Sequence, residues 1–277
     1  MAKDIFDVIQ DLRATGEAFA IATVVETLGS ASAKTASKAV IDKDGNVVAG
    51  WVGGGCAESA TCTQALESIA SGKTALLDID LNDEMLGAGM PCGGSMRVYV
   101  EPVLPKPSLW IMGHGRVAEC LCLLGDLLGF RVVVNDPGVD RQHYPHAASL
   151  ITDDLDYSRL DPKPEDFVVI ATQHKGDHES MKRALASKAG YIALIASRKR
   201  ARLVFDYCRE AGIGEAALAR VMAPAGLDLG ARSPEEIALS ILSEIVLTRR
   251  GGSGMKMRDK RQREAKPALA KTTETLG

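Results

Sequence analysis

The stretch Leu109-Trp-Ile-Met-Gly-His-Gly-Arg-Val-Ala118 decides how the second half of the chain is read. Leu109 to Met112 is a short, unbroken apolar run of the kind a buried parallel strand needs. Gly113 and Gly115 interrupt it, and Arg116 to Leu128 then carries its apolar residues at helical spacing. A second apolar run, Arg131 to Asn135, leads to Asp136, which stands 23 positions after Gly113. Strand, glycine loop, helix, strand and acid together form a dinucleotide fingerprint: Gly113 makes the turn, Gly115 lets a phosphate approach the backbone, and Ala118 lets the helix pack closely. His114 lies between the glycines and joins them as a candidate contact. The helix N-terminus offers amide donors to a phosphate, and Asp136 would take ribose hydroxyls while repelling a 2′-phosphate. The expectation is a nucleotide-binding crevice, with NAD or another nucleotide as its ligand.

The same alternation continues through a short strand near Leu150, a strand at Phe167 to Ala171, a helix at Asp177 to Lys188, a strand at Tyr191 to Ile195 and a helix at Arg198 to Ala211. Strand and helix in turn predict a Rossmann-like, doubly wound parallel sheet over residues 108–250. Its last helix announces itself by Ser233-Pro-Glu-Glu236: serine at the N-cap, proline at the first helical position and a carboxylate where a capping box needs one. Ile237, Ile241, Ile245 and Val246 continue one face of it.

Upstream the pattern changes. Ile5, Val8, Ile9 and Leu12 mark a helix that Gly16 stops, and Ala18 to Thr27, Lys38 to Asp42 and Val47 to Val52 read as strands, the last two joined by the turn residues Lys43-Asp-Gly-Asn46. Ala57 to Ala70 is helical, with Ala60, Ala65, Leu66 and Ile69 as its inward positions, and Ala75 to Ile79 and Met96 to Val100 are further strands. Residues 1–101 are therefore expected to form an N-terminal α/β domain. Three prolines in Glu101-Pro-Val-Leu-Pro-Lys-Pro107 are too many for a helix interior or a central strand, which predicts a linker at 102–107. The basic, glycine-led segment 251–277 is expected to be a disordered tail.

Composition excludes several classes of function. With 277 residues, 46% of them hydrophobic, the chain can bury a sizeable core. Its net charge of -3 and aromatic content of 4% leave no basic or stacking platform for nucleic acid. No apolar run reaches the roughly 18–20 residues that span a bilayer, and the charged opening lacks a signal peptide's apolar core, so a cytoplasmic protein is expected. Six cysteines without a C-x-x-C pair predict thiols rather than disulfides or a zinc ribbon.

Two of those thiols stand on bare backbone. Cys56 follows Gly53-Gly-Gly55 at a helix start, where the dipole favours a thiolate and exposed amides can hold an anion. Cys92 lies between Pro91 and Gly93-Gly94 in a loop. Cys62, Cys120, Cys122 and Cys208 fall on helices and read as packing residues. Beyond the strand at Phe167 to Ala171, His174 and Asp177 reach the end of the sheet where doubly wound folds bind ligands. His174 with His178 lacks a third metal ligand of suitable spacing. Ser197-Arg-Lys199 also follows a strand and opens a helix, a setting for anionic phosphate or pterin groups, with Ser197 and Arg198 as the contacts. His143 and His146 read as surface residues.

Taken in order, Gly53-Gly-Gly-Cys-Ala-Glu-Ser59, the segment from Met90 to Pro102, Trp110 to Ala118, Ala171 to Met181, Ile195 to Arg200 and Met222 to Ile245 resemble the XdhC/CoxI family, CoxF-like proteins included, over nearly all of Val24 to Arg249. The resemblance implies a factor that binds the molybdenum cofactor, as molybdopterin or its cytosine dinucleotide form, protects it during sulfuration and helps deliver it to an apo-hydroxylase of the xanthine or carbon monoxide dehydrogenase type. It further implies a cysteine desulfurase as sulfur source and a homo-oligomer. Carried onto this chain, it places Cys92, Gly93 and Gly94 on the family's cysteine-glycine-glycine motif, and Gly54, Gly55 and Glu58 on its glycine-rich turn, with Cys56 beside them; Cys92 is the candidate molybdenum contact. The chain departs from the family at Gly29 to Ser37, where Ser-x-Pro-Arg is usual and Lys34 is the available cation, and at Ala196-Ser197, where Gly-Ser is usual. Three rival readings remain, of which the first two are an NAD-dependent oxidoreductase, for which no hydride-transfer acid or base is identifiable, and a sulfur transferase carrying a persulfide on Cys56 or Cys92. An assembly adaptor without a small ligand is the third.

Overall fold

A computed structural model describes residues 4–81, 94–172 and 176–259, and the chain divides into two compact units, Met1–Lys106 and Pro107–Gly277. The first unit begins with helix α1 (Ile5–Thr15), which Asp4 caps through the Phe6 amide and Gly16 ends in the left-handed conformation. Strands β1 (Phe19–Gly29), β2 (Lys38–Asp42) and β3 (Val47–Gly50), helix α2 (Cys56–Ser71), and strands β4 (Ala75–Asp80) and β5 (Gly94–Val103) follow. The strands form an antiparallel sheet in the order β3-β2-β1-β5-β4. The Asp42 carboxylate accepts the amides of Asp44 and Asn46, which builds the turn between β2 and β3.

Helix α2 lies on the face of this sheet formed by Ala20, Ala22, Val24, Val98 and Val100. Its buried residues are Ala57, Thr61, Ala65 and Ser68, small side chains that let the helix sit close to the strands. Of the expected inward positions, Ala60 and Ile69 pack partly against the core, whereas Leu66 is exposed and covers the Gly45 turn instead. A stripe of small residues carries little hydrophobic signal, so Leu66 misplaces the face in a reading by periodicity.

The segment expected as a linker at 102–107 holds the boundary between the two units, at Lys106 and Pro107, but its first two residues belong to β5. Strand β5 runs on through Pro102 to Val103, with Pro102 opposite Ala20 of β1. The pairing of β4 stops at Val100, so Pro102 sits where β5 is locally an edge and its missing N–H breaks no bond to β4.

In the second unit, β6 (Ser108–Gly113), α3 (Arg116–Leu127), β7 (Arg131–Asn135), β8 (Ser149–Ile151), β9 (Phe167–Ala171), α4 (Asp177–Ala186), β10 (Tyr191–Leu194) and α5 (Arg198–Glu210) precede a short helix α6 (Glu215–Leu218), β11 (Val221–Met222) and α7 (Pro234–Arg250). All six strands are parallel, in the order β11-β10-β9-β6-β7-β8. One face packs Leu109, Ile111, Val132 and Val134 with α3 and α7; the other packs Met112, Val168, Ile170 and Ile192 with α4 and α5. This is the doubly wound sheet that the alternation predicts, and its order reverses between β6 and β9, the point where such sheets bind ligands. The four-residue α6 and two-residue β11 are too short to leave a periodic signal. The capping box of α7 forms as expected: the Ser233 hydroxyl accepts the Glu236 amide and the Glu236 carboxylate accepts the Ser233 amide. Residues 260–277, most of the expected disordered tail, lie outside the described residues.

Candidate functional site

At the switch point of the parallel sheet, Gly113 closes β6 with φ +121, and a Cβ there would lie 2.3 Å from the carbonyl oxygen of Ala171. Glycine is needed so that β6 and β9 can lie together at this turn. Ala118 is fully buried one turn into α3, in the packing role its place in the motif implies. Gly115, with φ +100, gives its N–H to the hydroxyl of Tyr144 at 3.0 Å. Tyr144 is 2% exposed, and burial pushes its phenol up to about 12, so it remains a neutral hydroxyl. Asp136 follows β7 directly and is 8% exposed. Its Oδ1 accepts the Gly138 amide at 2.7 Å and lies 2.9 Å from Nδ1 of His114. The structure thus brings Gly113, His114, Gly115 and Asp136 together at one sheet end, but with partners from within the chain.

Across the switch point, Asp177 opens α4 and is 1% exposed. Its carboxylate accepts the Thr172 hydroxyl from the end of β9 and receives Nε of Arg200, in α5, at 3.0 Å. A buried carboxylate held this way ties β9, α4 and α5 together and offers little surface to a ligand. Ser197 caps α5 by accepting the Arg200 amide at 3.2 Å, and Arg198 is exposed in the first turn. His174 lies outside the described residues. His178 lies against Tyr207, with ring centres 4.4 Å apart and ring planes tilted by 58°.

In the first unit, Gly53 to Gly55 form the turn into α2. Gly53, with φ +111, faces Ser32 and Ala33, so the loop that holds the departure at Gly29 to Ser37 lies against this turn. Gly54 and Gly55 meet nothing within 4 Å of an added Cβ, Gly55 has φ +60, and both are exposed. Cys56 and Glu58 are half-buried beside this open backbone in the first turn of α2. Gly94 differs: a Cβ there would lie 2.4 Å from the Leu28 carbonyl oxygen, so its lack of a side chain serves the pairing of β5 with β1. Cys92 and Gly93 lie outside the described residues.

Beside Gly94, a cleft of about 510 Å³ opens on the ends of β1, β4 and β5, between Glu26, Leu28, Asp78, Asp80 and Arg97. Arg97 bridges Asp78 at 2.5 Å and Glu26 at 3.2 Å. Three carboxylates against one guanidinium leave the cleft negative, which repels a phosphate dianion. The helical cysteines behave as packing residues: burial pushes the thiols of Cys62, Cys120 and Cys208 up, and that of Cys122 to about 11. Among the described residues no three histidine, cysteine or carboxylate side chains are grouped to hold a metal ion. No helix of the described residues is long and apolar enough to cross a membrane. Tyr144, Thr172 and Arg200 escape the sequence reading; only the position of Arg200 beside Ser197-Arg-Lys199 hints at its place.

Comparison with known proteins agrees with this architecture. Residues 109–245 match the XdhC Rossmann domain and residues 12–80 match the XdhC and CoxI family. The chain belongs to the XdhC/CoxI family. It is 30% identical over 243 residues to YqeB, an uncharacterised protein of Escherichia coli K12, covering 85% of this chain and 44% of that protein. It is 31% identical over 159 residues to a probable xanthine dehydrogenase subunit of Bacillus subtilis 168, covering 55% of this chain and 46% of that one. The molybdenum cofactor insertion chaperone PaoD of Escherichia coli K12 is 23% identical over 270 residues, with 85% of each chain covered. The chain thus spans under half the length of the first two relatives.

Proposed function

We propose that this protein binds the molybdenum cofactor as cargo and assists its maturation and insertion into an apo-hydroxylase. Family membership over both units supports this reading, together with the relative described as a molybdenum cofactor insertion chaperone. The observation that carries it is the open turn at Gly54 and Gly55, where backbone lies bare at the start of α2 just before the half-buried Cys56, which packs partly against the core, and Glu58. That opening fits a flat ligand approaching the amides; the negative cleft beside Gly94 does not fit the cofactor's phosphate. Gly54, Gly55 and Cys56 are therefore the proposed contacts in the described structure. Cys92 and Gly93 complete them by family analogy, with Cys92 as the thiol that faces molybdenum.

In this reading the protein's own residues bind the pterin edge through backbone donors, and Glu58 accepts a donor from the pterin ring. Lys34, on the loop whose Ser32 and Ala33 pack against Gly53, supplies a cation for the phosphate, as a point charge where arginine would give a fork. Protection during sulfuration, a cysteine desulfurase as sulfur source, a hydroxylase of the xanthine or carbon monoxide dehydrogenase type, a homo-oligomeric assembly and a cytoplasmic location belong to the same proposal. So does the choice between molybdopterin and its cytosine dinucleotide form.

Purification from a molybdenum-replete bacterium, followed by elemental analysis and mass spectrometry of the released pterin, tests the proposal. Roughly one pterin per chain is expected, with retention lost in Cys92→Ala while the circular dichroism spectrum is unchanged. Absence of pterin under ample supply would overturn it. A persulfide trapped on Cys56 or Cys92 without pterin would favour the sulfur-transfer reading, which the setting of Cys56 beside open backbone supports.

A further inference from the structure

The glycine loop and its acid promise, as sequence, a crevice for NAD: glycines for the pyrophosphate and a carboxylate for the adenosine ribose. In the folded chain one oxygen of that carboxylate and the amide of the second glycine are taken. Oδ1 of Asp136 holds the Gly138 amide at 2.7 Å and faces Nδ1 of His114 at 2.9 Å. The side chain of Asp136 is 12% exposed and that of His114 is 41% exposed, so a ligand entering here meets the imidazole before the carboxylate. The turn is closed around this pair, since a Cβ on Gly138 would lie 3.1 Å from Oδ1 of Asp136 and 3.5 Å from Nδ1 of His114. The second glycine is also committed, its N–H given to the buried hydroxyl of Tyr144 rather than to the crevice.

We infer that His114 is a selectivity residue: it occupies Oδ1 of the carboxylate that an adenosine ribose would use, and with Tyr144 on the Gly115 amide it makes the crevice disfavour NAD. A ribose diol can take both oxygens of Asp136 only by displacing the imidazole from Oδ1. A hydrogen bond to an ionised group is worth roughly a factor of ten or more in an equilibrium, so this displacement weakens binding by about that much. The groups that set this selectivity all lie in the Pro107–Gly277 unit.

The test is calorimetric titration of the full-length chain with NAD, using the wild type, His114→Ala and the double variant His114→Ala with Asp136→Asn. The ring of His114 is partly exposed and its removal opens no core cavity; His114→Ser serves as a second truncation, and thermal melts confirm that each variant is folded. The expected result is about tenfold tighter NAD binding by His114→Ala than by the wild type, with the gain lost in the double variant. Inorganic pyrophosphate, which has no ribose, is expected to show no such gain. A gain in NAD affinity below about threefold, including no detectable binding by either protein, overturns the inference. So does an equal gain for pyrophosphate, or a gain that survives Asp136→Asn.

Discussion

Asp154 is 5% exposed, and its carboxylate accepts the amide and hydroxyl of Ser158, the amide of Arg159 and the side-chain amide of Asn135, at 2.6 to 3.0 Å. Burial alone would raise its pKa, but these donors outweigh it and hold the carboxyl far below its ordinary value of 3.8. A carboxyl depressed in the folded state binds its proton first in the unfolded chain. Its contribution is therefore complete above about pH 4 and is lost as pH falls through the lowered folded value. Urea unfolding at pH 7 and pH 3 checks this. Asp154→Asn is expected to be less stable by about 1–3 kcal/mol at pH 7, because one oxygen acceptor becomes a donor, and to lose less on acidification than the wild type. Equal acid sensitivity of the two would remove Asp154 as the cause. Nothing in the local sequence announces this cluster, since Asn135 and Asp154 lie on separate segments that meet only when β7 and the turn after β8 come together.

Helix ends are the elements whose chemistry is most local. Ser233, Pro234 and Glu236 form their capping box within four residues, so the start of α7 is legible from sequence. Ser233→Ala removes the acceptor for the Glu236 amide and is expected to cost about 1 kcal/mol, read from the shift in the denaturant midpoint at unchanged slope. An unchanged midpoint would mean that water satisfies the amide equally well. Helix α2 shows the opposite case. Its inward face consists of Ala57, Thr61, Ala65 and Ser68; the helical pattern marks Ala65, and only the nearness of the sheet marks the other three. Strand β5 is similar: Pro102 is compatible with a strand because β4 has ended beside it, a fact of register rather than of composition.

At the scale of the molecule, each compact unit has its own core, one beneath α2 and two on the faces of the parallel sheet. Chains of this kind depart from two-state unfolding, and scanning calorimetry is expected to resolve two transitions. Gly113→Ala drives a Cβ into the Ala171 carbonyl at φ +121, so it is expected to lower the transition of the Pro107–Gly277 unit by roughly 5 °C or more and leave the other in place. A single transition that moves as a whole would refute separate unfolding. The sequence by itself determined what depends on neighbours along the chain: strand and helix alternation, the glycine turns, the caps, and the family-wide motifs that mark candidate contacts. Tertiary structure alone decided how those contacts are spent. Tyr144 is 29 residues from Gly115 and Arg200 is 23 from Asp177, yet each of these pairs shares a hydrogen bond. A buried polar group must be satisfied by whatever the fold brings near, and sequence spacing does not say which side chain that will be.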